Sequence, residues 1–398
     1  MNTSTRLAQI PPSPIRKLVP FASQAKAKGI KVYHLNIGDP DIPTPEVFIQ
    51  ALRHWNINPI GYAQSQGDTD LINSLKTYYG HLGYPSLETQ NIQITTGGSE
   101  ALLMSMIAVA NPGEEILTPE PLYANYISIA AVAGVKLVPI NTSIQTGFHL
   151  PSKSTIEQLL TNKTKAILYC NPNNPTGTAY TQDEIEMLVN LAQEHNLFLL
   201  ADEVYREFIY DHKPHVSLFS YLKLIPQQAI ILDSLSKRYS LCGARIGVLI
   251  SLNDQVMSGA LKIAQARLSS GLIDQKIAAQ LTQVPPSYLK QVQQEYQSRR
   301  DILFTGLSRI NGVIVHKPEG AFYMTVKLPV KSSEDFCQWL LTDFADNQET
   351  VMLAPASGFY LTPGLGANEV RIAYVLESKA LLRCIELLEL ALHEYSSL

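Results

Sequence analysis

The sequence contains little cysteine. Four of its 398 residues, Cys170, Cys242, Cys337 and Cys384, are cysteines, and no two of them form a CxxC pair. Cysteines spaced this widely make neither a metal-binding motif nor the disulfide framework of a small secreted protein. We therefore expect four free thiols, a reducing cytoplasmic location and no metal site.

The sequence also lacks an excess of basic residues and a long apolar run. Its net charge is −4 at pH 7, which provides no positive field for nucleic acid. The most apolar helix candidate, 101–110, lies between Glu100 and Asn111 and is too short to span a bilayer. The first nine residues are mostly polar and three prolines follow them closely, so no signal peptide is expected. These absences argue against nucleic-acid-binding and membrane proteins.

From residue 91 to about 250, short apolar strands alternate with helices. Buried strands that alternate with helices predict an α/β fold, in which a mostly parallel sheet is covered by helices on both faces. One of these helices opens with a capping-box pattern at Thr181 and Glu184. The predicted strands are 92–95, 115–118, 135–140, 165–170, 197–201, 229–232 and 246–250, and the predicted helices include 100–110, 123–133 and 184–195.

The pattern changes after about residue 285. A chain of 398 residues is long enough for about two domains. We predict an N-terminal arm (1–30) that packs with the small domain, a large domain (31–285) and a smaller α+β domain (286–398). The elements predicted outside the large domain are helices at 20–28, 287–307, 334–344 and 379–395 and strands at 313–316, 321–327, 351–354 and 370–374.

Four small or polar residues lie just after four of the predicted strands. Gly97, Asn174, Asp202 and Ser234 follow the strands at 92–95, 165–170, 197–201 and 229–232. In open parallel sheets, ligands bind beyond the carboxyl ends of the strands. We therefore expect these four residues to meet at one edge of the sheet.

The segment around residue 237 has the chemistry to bind an aldehyde and a phosphate. It reads Ser234-Leu235-Ser236-Lys237, and Arg245 follows eight residues later. A lysine can form a Schiff base with an aldehyde, and serine hydroxyls together with an arginine can hold a phosphate. Gly97-Gly98-Ser99, at the beginning of a predicted helix, offers backbone N–H groups to the same anion.

Three further residues suit an aromatic ring that carries such an aldehyde. Asp202 can pair with a protonated pyridine nitrogen, and Asn174 and Tyr205 can reach a phenolic oxygen. Each piece alone has an ordinary explanation: a surface lysine, a helix cap at Asp202 or a turn at 171–177. Together, and in this order, they predict a site for pyridoxal 5′-phosphate, whose ring acts as an electron sink.

These residues resemble the motifs of the class I and II aminotransferases of fold type I, the aspartate-aminotransferase-like family. The resemblance begins at Asn36-Ile37-Gly38-Asp39-Pro40-Asp41 and ends at Val370-Arg371-Ile372-Ala373, so it covers nearly the whole chain. It implies a homodimer that moves an amino group from an L-amino acid to a 2-oxo acid, with 2-oxoglutarate as the expected acceptor. The donor would be aspartate, an aromatic amino acid or another neutral amino acid.

The resemblance also implies roles for individual residues. Lys237 would form the Schiff base and then move a proton between the α-carbon and the cofactor. Asp202 would pair with the pyridine nitrogen, and Asn174 and Tyr205 would contact the phenolic oxygen. The aromatic ring of Tyr123 would stack on the cofactor.

The remaining implied roles concern the phosphate and the substrate. Gly98, Ser99, Ser234, Ser236 and Arg245 would surround the phosphate.

Tyr62 would reach the phosphate in the neighbouring subunit, which makes the active site a property of the dimer. Arg371 would bind the substrate α-carboxylate as a bidentate partner, assisted by the Gly38 backbone and Asn174.

One position departs from the family pattern. Bacterial aspartate aminotransferases of this subgroup often have a lysine at the position of Ser99, and this lysine helps to bind the distal carboxylate. The serine therefore weakens an assignment to aspartate.

Three other functions would use some of the same residues or the same fold. A β-eliminating lyase of the same fold would use the same carbanion. A regulator with an aminotransferase-like domain would need a long DNA-binding segment, and only about thirty residues precede the Gly38 motif. An inert cofactor-binding scaffold is opposed by Lys237, Asp202 and Arg371 together.

Overall fold

The protein is built around three β-sheets, seen in a computed structural model that describes residues 4–8, 10–84 and 86–397. Within them no helix is long and apolar enough to cross a membrane. The strands are β1 (Lys31–His34), β2 (Ile92–Thr96), β3 (Glu115–Glu120), β4 (Lys136–Asn141), β5 (Thr164–Cys170), β6 (Phe198–Asp202), β7 (Ala229–Ser234), β8 (Ile246–Ser251), β9 (Ile314–Val315), β10 (Tyr323–Lys327), β11 (Glu349–Met352), β12 (Ala354–Pro355) and β13 (Glu369–Ala373).

Helices surround these sheets. The α-helices are α1 (Thr5–Ala8), α2 (Val19–Ala27), α3 (Glu46–Arg53), α4 (Thr69–His81), α5 (Gly98–Val109), α6 (Asn125–Ala133), α7 (Lys153–Glu157), α8 (Gln182–Glu194), α9 (Leu235–Arg238), α10 (Asp254–Ala266), α11 (Leu272–Ala278), α12 (Pro286–Leu307), α13 (Ser333–Thr342) and α14 (Ser378–Tyr395).

The largest sheet has seven strands in the order β2-β8-β7-β6-β5-β3-β4. All neighbouring pairs are parallel except those of β8, which runs antiparallel to both β2 and β7. The predicted α/β fold with a mostly parallel sheet is therefore confirmed. The direction of β8 has a consequence for the site, because its first residue lies at the same edge as the last residues of β2 and β7.

The central strands are buried on both faces. In β5, Leu168 points into a core that it shares with α5, α6 and α10, whereas Ile167 and Tyr169 point into another core with α4 and α8. Successive side chains of a strand point to opposite faces, so a strand between two helical layers must be apolar throughout. This explains why the predicted strands appear in the sequence as continuous apolar runs.

The C-terminal part contains a four-stranded antiparallel sheet in the order β12-β13-β10-β9. Its core includes residues of α12, α13 and α14, and Leu18, Ala22 and Ala25 of the N-terminal segment pack into the same core. Strand β1 pairs in parallel with β11, so the N-terminal segment is also joined to this part by backbone hydrogen bonds. Residues 1–3 and 9 of the predicted arm lie outside the described residues, and the domain boundaries at 30 and 285 stay predictions.

Some element boundaries differ from those predicted. The helix predicted at 100–110 begins earlier, at Gly98, and the helix predicted at 123–133 begins at Asn125. Tyr123 therefore lies in the loop before α6. The stretch that contains Tyr205 forms a turn after β6, not the beginning of a helix.

Helix α8 shows how the sequence determines an element. Its buried residues Ile185, Leu188, Val189 and Ala192 recur at helical spacing. At its N-terminus, the Thr181 side chain accepts a hydrogen bond from the Glu184 backbone, and the Glu184 carboxylate accepts one from the Thr181 backbone at 2.7 Å. The predicted capping box is thus present.

Thr181→Ala should lower the free energy of unfolding by about 1 kcal/mol, because the Glu184 backbone N–H loses its side-chain acceptor. The measurement is the urea concentration at which half of the protein is unfolded, and the dependence of the unfolding free energy on urea should stay unchanged. Thr77→Ala is the matched control, since Thr77 is exposed in the middle of α4. Equal effects of the two substitutions would show that the cap does not stabilise α8.

Candidate active site

A cavity of about 150 Å³ lies beyond the carboxyl ends of β2, β5, β6 and β7. It brings together ten of the thirteen residues that the sequence predicted for the site. Its lining also includes Leu102, Cys170, Val204 and Cys242, which were not predicted. The ten predicted residues are Gly98, Ser99, Tyr123, Asn174, Asp202, Tyr205, Ser234, Ser236, Lys237 and Arg245.

A larger surface groove, of about 1110 Å³, lies between α12 and α14 and is lined largely by polar residues such as Gln293 and Gln297. None of the predicted site residues lines it. The smaller cavity is therefore the candidate active site.

One end of the cavity is suited to an anion. Helix α5 begins at Gly98, and its first backbone N–H groups have no partner within the helix, as at any helix N-terminus. Gly97 has φ +75°, and a Cβ at this position would overlap the Arg245 guanidinium. Only glycine allows the arginine to approach the helix this closely. The antiparallel direction of β8 supplies this arginine, because Arg245 directly precedes the strand.

The two serines lie beside this end of the cavity. Ser234 Oγ accepts a hydrogen bond from the Ser236 backbone at 3.1 Å. It lies 2.9 Å from both Ser236 Oγ and the Ile246 carbonyl oxygen, and it donates its single proton to one of them. The first of these bonds caps the short helix α9, which carries Lys237. The cap therefore fixes the position of the lysine relative to the anion-binding end.

The Lys237 amine lies in the wall of the cavity. Its Nζ donates a hydrogen bond to the Gly38 carbonyl at 2.9 Å and lies 3.7 Å from Cys242 Sγ. The predicted residue Gly38 is thus brought to the site, although it contacts the lysine through its carbonyl and does not line the cavity.

Asp202 is buried at the end of β6. Its Oδ2 accepts a hydrogen bond from Tyr126 Oη at 2.6 Å, and its Oδ1 accepts a long one, at 3.4 Å, from the Val204 backbone. Burial raises the pKa of Asp202 to about 6, against the smaller opposing effect of the Tyr126 hydrogen bond. Tyr126 was not predicted for the site, because a tyrosine inside an apolar helix has no signal of its own in the sequence.

Arg371, which is 1% exposed, does not line the cavity but contacts Asn174, which does. Its Nη1 donates to Asn174 Oδ1 at 3.1 Å and its Nη2 to the Asn36 carbonyl at 2.5 Å. Its Nε is buried without a hydrogen-bond partner, and no carboxylate among the described residues forms an ion pair with it. The guanidinium also lies 4.5 Å from the Tyr323 ring centroid and 5.0 Å from that of Phe359.

This arrangement is unusual for a cation. Burial lowers the pKa of Arg371 from its ordinary value, yet an arginine remains charged in proteins. A buried charge without a counter-ion is costly, so it suits a site that receives an anion from outside.

The last predicted residue, Tyr62, lies apart from the cavity. Its side chain is 83% exposed. The contact of Tyr62 with a neighbouring subunit stays a prediction, as do the roles of the other site residues.

A family model described as "Aminotransferase class I and II" matches residues 30–388. The chain is 29% identical to an aspartate aminotransferase of Thermotoga maritima, over 97% of this chain and 98% of the relative. It is 31% identical to a probable N-acetyl-LL-diaminopimelate aminotransferase of Bacillus subtilis, over 98% of this chain and 95% of the relative. Among solved structures, an alanine aminotransferase of Pyrococcus furiosus is similar with a TM-score of 0.90 at 28% identity, over 99% of this chain and 100% of that one.

The pKa of Asp202 predicts how stability depends on pH in the cofactor-free protein. A value of about 6 lies above that of an ordinary carboxyl, so the folded protein binds this proton before the unfolded chain does. The burial of Asp202 therefore costs stability above pH 6, and this cost is relieved as the pH falls through 6. Asp202→Asn should stabilise the protein at pH 8 by about 1–3 kcal/mol, and the gain should shrink towards pH 5.

The measurement is the melting temperature of both cofactor-free proteins at pH 8, 6.5 and 5. Glu389→Gln, which removes an exposed carboxylate, is the control and should show no such trend. A difference between Asp202→Asn and the unmodified protein that stays constant with pH would contradict this assignment.

Proposed function

The chain belongs to the class I and II aminotransferases, and from this membership we propose that it is a pyridoxal-phosphate-dependent enzyme that transfers the amino group of an L-amino acid to 2-oxoglutarate. Members of this family generally depend on pyridoxal phosphate and use amino acid and oxo acid substrates. The observation that carries the proposal is the buried guanidinium of Arg371, which has no carboxylate partner among the described residues and bonds to a residue that lines the lysine-containing cavity. Such a cation matches the α-carboxylate that all α-amino acids share.

The residues of the cavity fit the cofactor. The N-terminus of α5, together with Ser234, Ser236 and Arg245, would hold the phosphate, and the space that glycine leaves at position 97 permits the arginine to close on it. Asp202 would offer its carboxylate to the pyridine nitrogen of the cofactor ring.

Four further residues would surround the ring. Asn174 and Tyr205 offer hydrogen-bonding groups to the phenolic oxygen, Lys237 offers an amine to the aldehyde, and Tyr123 offers an aromatic face. These residues and the phosphate-binding groups line one cavity.

When bound, the cofactor supplies an electron sink for the negative charge that develops at the substrate α-carbon. Asp202, with a pKa of about 6, carries a negative charge at neutral pH and would hold a proton on the ring nitrogen. A cation beside Asp202 would lower the pKa that burial raises, so the pairing would stabilise both charges.

Lys237 would take the proton from the substrate α-carbon as a general base. Its bond to the Gly38 carbonyl orients the amine within the cavity. Arg371 would bind the α-carboxylate through its guanidinium, whose Nε has no hydrogen-bond partner among the described residues, and this would fix the α-carbon relative to the lysine. Tyr205 remains a protonated donor, because burial raises its pKa well above the ordinary value.

We also propose that the enzyme is a homodimer. Tyr62 is far more exposed than most tyrosines of this chain and does not line the cavity of its own subunit. An exposed aromatic residue fits a partner subunit, and family members are typically dimeric.

The choice of donor is proposed to depend on Ser99. The similar proteins act, according to their names, on aspartate, on alanine or on an acylated diamino acid, so similarity alone does not select a donor. Ser99 lines the cavity and carries no positive charge. Neutral and aromatic donors should therefore be less disfavoured than in relatives with a lysine at this position.

The assignment of Lys237 is tested by reduction. The purified protein should be yellow, borohydride should bleach it, and peptide mass spectrometry should place a pyridoxyl group on Lys237. Lys237→Ala should lose transamination, because both the covalent anchor and the base are removed. Lys262→Ala, which changes an exposed lysine of α10, should keep both the label and the activity. A colourless protein that added pyridoxal phosphate does not change would refute the assignment.

The role of Ser99 is tested by Ser99→Lys. The ratio of kcat/KM for aspartate to that for phenylalanine should rise by roughly ten- to one-hundred-fold, the effect of one charge-assisted hydrogen bond. Ser99→Ala removes the hydroxyl without adding charge and should leave the ratio unchanged. If the lysine lowers both activities by the same factor, or if the ratio stays as it is, another residue binds the distal carboxylate.

A further inference from the structure

Tyr323, the first residue of β10, lies behind the wall of the cavity. It is 3% exposed and does not itself line the cavity. Its hydroxyl is 3.1 Å from Tyr205 Oη, and its ring lies 4.5 Å from the Arg371 guanidinium. It therefore contacts both the residue that would reach the phenolic oxygen and the residue that would bind the α-carboxylate.

The direction of the hydrogen bonds around Tyr205 can be worked out from Arg371. An arginine can only donate, so the Asn174 atom that faces Arg371 Nη1 must be the carbonyl oxygen. The amide nitrogen of Asn174 then faces Tyr205 and donates to its hydroxyl, at 3.4 Å. One of the two acceptor positions of Tyr205 Oη is thereby filled.

Tyr323 fills the other acceptor position. Among the described residues, Tyr205 is the one hydrogen-bond partner of the Tyr323 hydroxyl. If Tyr205 donated to Tyr323, the buried Tyr323 proton would have no acceptor, which costs stability. The favoured arrangement is therefore that Tyr323 donates, and the single proton of Tyr205 points away from both neighbours, into the cavity that Tyr205 lines.

The packing holds the Tyr323 hydroxyl in this place. A Cβ at position 38 would overlap Tyr323 Oη, so the glycine at this position lets the backbone lie directly against the hydroxyl. The Tyr205 and Tyr323 rings meet edge to face, with centroids 5.6 Å apart. The hydroxyl is thus confined between the Gly38 backbone and Tyr205.

We propose that Tyr323 is a positioning residue that directs the Tyr205 proton towards the phenolic oxygen of the cofactor and links this bond to the carboxylate-binding Arg371. The inference rests on the proposed function, since it needs the cofactor in the cavity. It assigns a task in the reaction to a residue that touches neither cofactor nor substrate.

Tyr323→Phe tests the proposal in the holoenzyme, through a pH titration of the visible absorbance. Weaker donation by Tyr205 leaves more negative charge on the phenolic oxygen, which favours a proton on the neighbouring Lys237 nitrogen. The midpoint of the titration should therefore rise by about 0.5–1, the size expected for the loss of one neutral hydrogen bond. Tyr205→Phe should raise the midpoint further, and the double variant should match Tyr205→Phe alone, because Tyr323 acts on the phenolic oxygen only through Tyr205.

Tyr296→Phe is the matched control. Tyr296 is buried in the same core, its ring stacks on Phe322 at 5.3 Å, and its hydroxyl has no partner among the described residues. Loss of the Tyr296 hydroxyl should leave the midpoint of the absorbance titration unchanged.

The remaining outcomes separate the inference from the proposed function. If the titration midpoint does not change in Tyr323→Phe, or if the midpoint changes of the two single variants add in the double variant, the inference alone is overturned. A protein without any visible band overturns the proposed function and the inference with it. If Tyr323→Phe fails to fold, 3-fluorotyrosine at position 323, a stronger donor, should lower the midpoint, and an unchanged midpoint would again overturn the inference.

Discussion

The buried charge of Arg371 is the constraint on which the site depends. An ion removed from water costs several kcal/mol unless the surrounding groups replace its hydration. Around Arg371, the groups that replace its hydration are uncharged, and they replace it only in part. They are the Asn36 carbonyl, the Asn174 amide and the faces of Tyr323 and Phe359.

These neutral partners come from four separate parts of the chain. They are the segment after β1, the loop after β5, the beginning of β10 and a short 3₁₀-helix after β12. Four segments of the fold therefore surround the charge of Arg371, and none of them neutralises it. An incoming carboxylate would complete this environment.

Patterns within short stretches of sequence predicted the strands and helices well. The apolar runs of the central sheet and the motif that ends in Lys237 depend on neighbouring residues, and such signals are visible without a structure. Strand direction is different, because an apolar run looks the same in either direction. The antiparallel course of β8, which brings Arg245 beside the beginning of α5, could not be inferred from the pattern.

Contacts between residues far apart in the chain were the other feature that the sequence could not predict. Tyr126 and Asp202 are 76 residues apart, Tyr205 and Tyr323 are 118 apart, and Lys237 is 199 residues from Gly38, whose carbonyl it contacts. Each partner is an ordinary core or loop residue in its own segment. Only packing shows that Tyr126 modifies the carboxylate and that Tyr323 completes the hydrogen bonds of Tyr205.

The pairing of β1 with β11 also matters while the protein is being made. Lys31 and Glu349, at the beginnings of the two strands, are separated by 318 residues. At about 5–20 residues per second, a ribosome needs roughly 15–60 s to synthesise that length. During this interval β1 has no partner, and the Gly38 segment that follows it has no anchored place beside Lys237. The nascent chain therefore carries β1 without its partner strand until β11 has been synthesised.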